Sequence, residues 1–167
     1  MSADTPIPLD SVKAFLQAMV DCRTLNKMKM PGGWKYSCIE DFILKNGRSF
    51  KPMPLPKKVK RGKMKQCFKN AADLALDSSL TPGHIELVYV EGYALNIIPV
   101  HHAWCVDREG NVYDNTWPDG GKEYYGVMFT TSFLADRLLK SKTYGLIDQW
   151  ELDWPLLRGM KGWEVKI

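Results

Sequence analysis

Pro52, Pro54 and Pro56, followed at once by Lys57, Lys58, Lys60, Arg61, Lys63 and Lys65, constrain the middle of this 167-residue chain more than any other feature. Proline lacks a backbone N–H and has a locked φ, so prolines at alternate positions exclude both a helix and an interior strand. The spacing predicts an extended arm across the surface over residues 51–65. The segment before it is too small to fold alone, so the arm is a crossing and not a domain boundary. One domain over 1–167 is expected, with its core at about 62–140 and a helical extension over 1–50.

The two sides of the arm have different periodicities. Before it, Val12, Phe15, Leu16, Met19 and Val20 recur at helical spacing, with Asp10 or Ser11 as cap. A second helix is expected from Ser37, where Ser37 and Glu40 fit a capping box and Gly47 suits the C-terminal cap. A third starts near Gln66 or Cys67 and runs to about Asp77, with a stripe of mostly small residues: Phe68, Ala71, Ala72, Ala75 and Leu76. After it, residues 85–90 and 100–106 read as strands. Residues 108–111 form a hairpin turn, 111–116 return as its partner, and 124–129 form a further strand. Thr131 or Ser132 caps a last helix to about Lys140, with Phe133, Leu134, Leu138 and Leu139 turned inward. A final strand and irregular segments close the chain. Helices followed by an antiparallel sheet give an α+β fold class.

Composition narrows the function classes. The opening residues show no basic region followed by an apolar run, and no apolar stretch reaches the roughly 20 residues that span a bilayer. Cys22, Cys38, Cys67 and Cys105 are irregularly spaced with no Cys-x-x-Cys pair, so no metal site is expected, and reduced thiols in a cytoplasm are the default. The net charge of +4 is mild and concentrated in the arm. The simplest reading of that run is a solvated, flexible connector, and the sharper one is a patch for an acidic partner. No aromatic residue interleaves with the cations, which disfavours nucleic acid.

Chemistry concentrates around Cys67. It stands at the expected start of a helix, behind a run of cations, and both features favour a thiolate nucleophile. On the hairpin, side chains alternate faces, so His102, Trp104 and Val106 point one way while His101, Ala103 and Cys105 point the other. With Arg108–Gly110 as the loop, Asp107 pairs with Asn111 and Trp104 with Asp114. That register places Asp114 diagonally across from His102 on one face, and a slip of one residue would separate them. A carboxylate on one imidazole nitrogen orients the ring and leaves the other nitrogen to take a thiol proton.

Taken in order, Cys67-Phe68-Lys69-Asn70-Ala71, Tyr89-Val90-Glu91-Gly92-Tyr93-Ala94, His102-Ala103-Trp104 and Asp114-Asn115-Thr116-Trp117 resemble the transglutaminase-like (papain-like) cysteine enzyme superfamily. The resemblance spans roughly residues 62–129 and extends to small phage and bacterial proteins. It implies a nucleophilic Cys67, a general base and acid His102, an orienting Asp114, and a sheet packed on the Cys67 helix. Asn115 stands where the family pattern has proline. The expected activity is hydrolysis, or transamidation, of an amide, isopeptide or glutamine side-chain amide in a protein or peptide substrate through an acyl-Cys67 intermediate, with no cofactor. A binding protein on the same scaffold and a small-molecule N-acyltransferase are the alternatives.

Further residues are candidates around the triad. Gln66 could donate to an oxyanion together with the Cys67 N–H. Asn70, one turn on, could orient the site or a loop backbone. Trp104 could wall the site or simply be core, and Tyr124 and Tyr125, of which Tyr125 is taken as the site residue, could line the groove or pack within the strand.

Overall fold

A computed structural model describes residues 11–166; the candidate cap Asp10 and the rest of residues 1–10 lie outside them. The architecture is α+β. Helices α1 (Ser11–Leu25), α2 (Ile39–Asn46), α3 (Cys67–Leu80) and α4 (Thr131–Lys140) surround strands β1 (Arg48–Phe50), β2 (Val88–Leu95), β3 (Pro99–Val106), β4 (Val112–Tyr113) and β5 (Glu123–Phe129). The strands form one antiparallel sheet in the order β1-β5-β2-β3-β4. The sheet curls until its edges meet: Lys51 N–H donates to Gly110 O (3.1 Å), and Val112 N–H donates to Lys51 O (3.0 Å).

Curling gives the sheet two cores. The concave side encloses Phe50, Val90, Ala94, Trp104, Val106, Val112 and Tyr124. Gly126 makes room for the largest of these, since a Cβ there would lie 2.9 Å from Trp104 Cη2. The convex side packs against the helices. There the small residues Ala71, Ala72 and Ala75 bring α3 close to the sheet, and the buried Cys105 Sγ donates to Ala71 O at 3.1 Å. That close approach sets where Cys67, at the start of α3, can reach.

Element ends carry partners that the local sequence did not indicate. Helix α1 receives its terminal carboxylate from β5, with Ser11 and Val12 N–H donating to Glu123 at 3.0 and 2.8 Å. At α2, which starts at Ile39, Asp41 and not Glu40 accepts from Ser37 N–H (2.8 Å) and Oγ–H (3.2 Å). Glu40 instead accepts from the Tyr93 hydroxyl at 2.8 Å. Thr130 caps α4 through Phe133 N–H at 3.3 Å. On that helix Leu139 is exposed, and Arg137 is buried because its guanidinium donates to Gln149 Oε1 at 2.9 and 2.6 Å.

The strand expected at 85–90 begins at Val88 and continues to Leu95, because β3 and β5 flank it along that length. The tail holds a 3₁₀ turn at Trp150–Leu152 and a single bridge from Glu164 to Phe129 where a strand was expected. Among the described residues, no helix is long and apolar enough to cross a membrane.

The arm is not the loose connector that its charges suggested. Gly62 N–H donates to Asn115 O at 2.8 Å. The Arg61 guanidinium donates to Trp117 O (3.1 Å) and Pro118 O (2.7 Å). Lys63 O accepts from Asn70 Nδ2–H at 2.7 Å. These bonds hold the arm against the segment that carries Asp114.

Candidate active site

The hairpin register places Asp114 beside His102. Gly110 takes φ +80° in the turn, Val106 pairs with Val112, and Cys105 pairs with Tyr113. Extending that ladder by one residue sets Trp104 opposite Asp114, as the alternation predicts. The ladder stops at Tyr113 because Asp114 Oδ1 accepts the N–H groups of Thr116 (2.9 Å) and Trp117 (3.1 Å), which turns the chain. The other oxygen, Oδ2, meets His102 Nε2 at 2.8 Å and accepts from the Tyr124 hydroxyl at 2.9 Å.

With Nε2 engaged by Asp114, Nδ1 is the ring's remaining nitrogen. Cys67 lies near enough to His102 to raise the ring's pKa. The ring is buried, stacked on Trp117 at 4.1 Å between centroids, with Trp104 behind it at 6.2 Å. Burial by itself would lower the His102 pKa. The hydrogen bond to Asp114, the nearby Cys67 and the charges of both partners outweigh it and push the value up to about 9. Burial also disfavours ionised Asp114. The bond from His102, that ring's charge and the two backbone N–H donors reverse the balance and hold the carboxyl below its ordinary value.

The supporting candidates divide. Gln66 is exposed, is the residue before α3, makes no side-chain cap bond, and with Phe68, Glu91 and His101 lines a cleft of about 500 Å³ on the His101 face, which neither Cys67 nor His102 lines. Asn70 is buried with its Nδ2 on Lys63 O and on Thr116 Oγ1 (2.9 Å), and its own carbonyl accepts from Asn115 Nδ2–H at 3.1 Å. Its side chain ties the arm to the Asp114 segment and is not directed at a substrate. Trp104 is fully buried inside the curl and does not wall the cleft. Tyr125 lies on the helix side, where its hydroxyl donates to Leu44 O (3.3 Å) and Gly47 O (3.1 Å).

Its neighbour Tyr124 is the residue at the site, and alternation along β5 separates the two. Without the pairing of β5 to β2, sequence reasoning had no means of choosing between them. Trp117 stood in the quoted motif, yet its stacking on His102 depends on the turn at Asp114. The cleft's outer wall, Tyr144 and Trp150, comes from a segment with no recognisable periodicity. Among the described residues, no cluster of His, Cys, Asp and Glu is arranged to hold a metal ion.

No family model, no curated protein and no solved structure matches the chain.

Proposed function

We propose that this chain is a cysteine-dependent hydrolase of the transglutaminase-like class, cleaving an amide bond in a protein or peptide through an acyl-Cys67 intermediate. One observation carries the reading: His102, hydrogen-bonded to Asp114 at 2.8 Å, also lies near enough to Cys67, at the start of α3, for the sulfur to raise the ring's pKa. Asp114 fixes the ring and compensates the charge it gains on holding the thiol's proton, which His102 keeps at neutral pH with its pKa of about 9, and the sulfur attacks the acyl carbon. The oxyanion forms beside the Cys67 N–H, which by its place in the first turn has no intrahelical acceptor, and beside the Gln66 side chain. His102 returns the proton to the leaving amine. Water then loses a proton to His102 and adds to the thioester carbon, and the thiolate leaves.

Cysteine-resolved alkylation tests the reading. Cys22 is exposed, Cys38 and Cys105 are buried, and Cys67 is half-buried. On accessibility alone, Cys22 should react first with iodoacetamide at neutral pH. A working triad makes Cys67 the fastest despite its lower exposure. Alkylation of Cys67 no faster than that of Cys22 would remove the basis for an enzyme.

A further inference from the structure

The arm places an unusual density of unpaired positive charge along α3, from Lys58 and Lys60 at a pocket by the C-terminal end of the helix to Lys65 just before Cys67. Lys57, Lys58, Lys60, Arg61, Lys63 and Lys65 are all exposed. Among the described residues none of them pairs with a carboxylate; the ion pairs lie elsewhere. Arg61 is used internally, on the carbonyls of Trp117 and Pro118, and that bond, with Gly62 on Asn115 and Lys63 O on Asn70, fixes the backbone of the arm. The five lysines are left facing solvent from an anchored support. Like charges this close repel one another, and a folded chain has no need to anchor them unless something offsets them.

The position of the anchor is informative. It grips residues 115–118, directly after Asp114, and its last cation stands two residues before Cys67. A ligand bound along the lysines therefore ends at the thiol. Met64, exposed among them, adds an apolar contact. The absence of aromatic rings between the cations removes the stacking platforms that single-stranded nucleic acid uses.

We propose that residues 57–65 form a docking surface for an acidic polypeptide, which the arm guides across Cys67. The docking itself does not depend on catalysis. That the bound chain is a substrate rests on the reading of Cys67 given above. Charge complementarity would act mainly on encounter and would weaken as salt shortens the screening length, which is about 8 Å at physiological ionic strength.

The probe is a fluorescein-labelled decaglutamate peptide, followed by anisotropy, with iodoacetamide mapping of Cys67 and Cys22 in the same samples. Decaglutamate should bind and slow alkylation at Cys67 while leaving Cys22 unchanged. Replacing Lys57, Lys58, Lys60, Lys63 and Lys65 by Ser, with Arg61 kept as anchor, should weaken binding at least about tenfold. Raising salt from about 50 to about 300 mM should weaken binding to the unaltered protein, a measurement that does not depend on how the variant folds. The proposal is overturned if the five-fold variant binds as the parent does, or if saturating decaglutamate leaves Cys67 alkylation unchanged. It is also overturned if a poly-dT oligonucleotide of equal charge displaces the peptide, since the arm would then be a nucleic-acid surface. Cys67→Ala should still bind decaglutamate, so a failed docking surface and a failed catalytic thiol give different results.

Discussion

Strand β3 carries two histidines back to back, and each faces a carboxylate. On the concave side His102 Nε2 lies 2.8 Å from Asp114; on the helix side His101 Nε2 lies 3.1 Å from Glu91. Both carboxylates accept two backbone N–H groups and one tyrosine hydroxyl: Thr116, Trp117 and Tyr124 for Asp114, and Leu146, Ile147 and Tyr89 for Glu91. Proximity makes the two pairs look alike, but alignment separates them. His102 and Asp114 form a hydrogen bond, whereas His101 Nε2 is out of line with Glu91 and has no hydrogen-bond partner among the described residues. The neighbours differ as well. His101 packs between the rings of Phe68 and Tyr93, while His102 has Trp117 on its face and Cys67 nearby. A histidine beside a buried carboxylate is thus not in itself a catalytic arrangement. What sets His102 apart is the nearby Cys67, which raises the ring's pKa.

The comparison assigns Glu91 a structural task, and its removal should have the largest effect on stability. Glu91→Ala leaves two backbone donors and the Tyr89 hydroxyl buried without their acceptor and frees the segment at 146–147 from the sheet. A loss of about 3–5 kcal/mol is expected from urea unfolding. If the variant is nearly as stable as the parent, the helix-side pair is not the staple described here.

The pH dependence of stability should track His102. Its pKa rises from 6.5 to about 9 on folding. The stabilisation from binding that proton is complete below the unfolded value and disappears as pH climbs through the folded one. Unfolding free energy should therefore fall between about pH 6.5 and 9, by an amount on the order of 3 kcal/mol. In His102→Gln this decline should vanish. A profile with the same slope in the variant would place the titrating group elsewhere.

A third experiment exchanges the two histidines for alanine separately. His102→Ala should slow Cys67 alkylation on the order of 10²-fold at neutral pH, the scale of a lost general base. His101→Ala should change it less than about threefold, as expected of a residue that packs beside the cleft without taking the proton. Comparable losses in both would show that the two faces act together on the thiol.

What the sequence made legible follows the range of the interaction involved. The β3–β4 register was readable because a glycine in a short turn sets it and strand alternation propagates it. His102 and Asp114 therefore came out on one face while Cys105 and His101 came out on the other. The α3 boundary and its close packing were readable from a stripe of alanines. Apart from the α4 cap, one residue earlier than expected, the misses depend on residues distant in the chain. Nothing local to Ser11 indicates that Glu123 will receive its N–H, or that Asp41 will take the place of Glu40 because a tyrosine on β2 claims the latter. Tyr125 was chosen over Tyr124 because a strand of unknown pairing has two equivalent faces. The arm, expected as extended, contains a turn closed by Val59 N–H on Pro56 O, and its anchoring depends on carbonyls at Trp117 and Pro118 whose position follows from the turn at Asp114.

The smallest expected effect tests the resemblance between the two carboxylates most finely. Tyr124→Phe removes the hydroxyl that donates to Asp114 Oδ2, and Tyr89→Phe removes the one that donates to Glu91 Oε2. Both tyrosines are buried, and each substitution should cost about 1–3 kcal/mol, the range for a hydrogen bond to a charged group. On stability the pair should be nearly indistinguishable. On Cys67 they should diverge. With one donor fewer, Asp114 has more negative charge to direct at His102, so Tyr124→Phe should move the pH dependence of Cys67 alkylation by a few tenths of a unit, or about 0.5 kcal/mol. Tyr89→Phe should leave that profile in place. Two phenylalanine variants with equal stabilities and different thiol profiles would place the chemistry on one face of β3 and the scaffolding on the other. Equal profiles would mean that Tyr124, like Tyr89, only holds a carboxylate in the core.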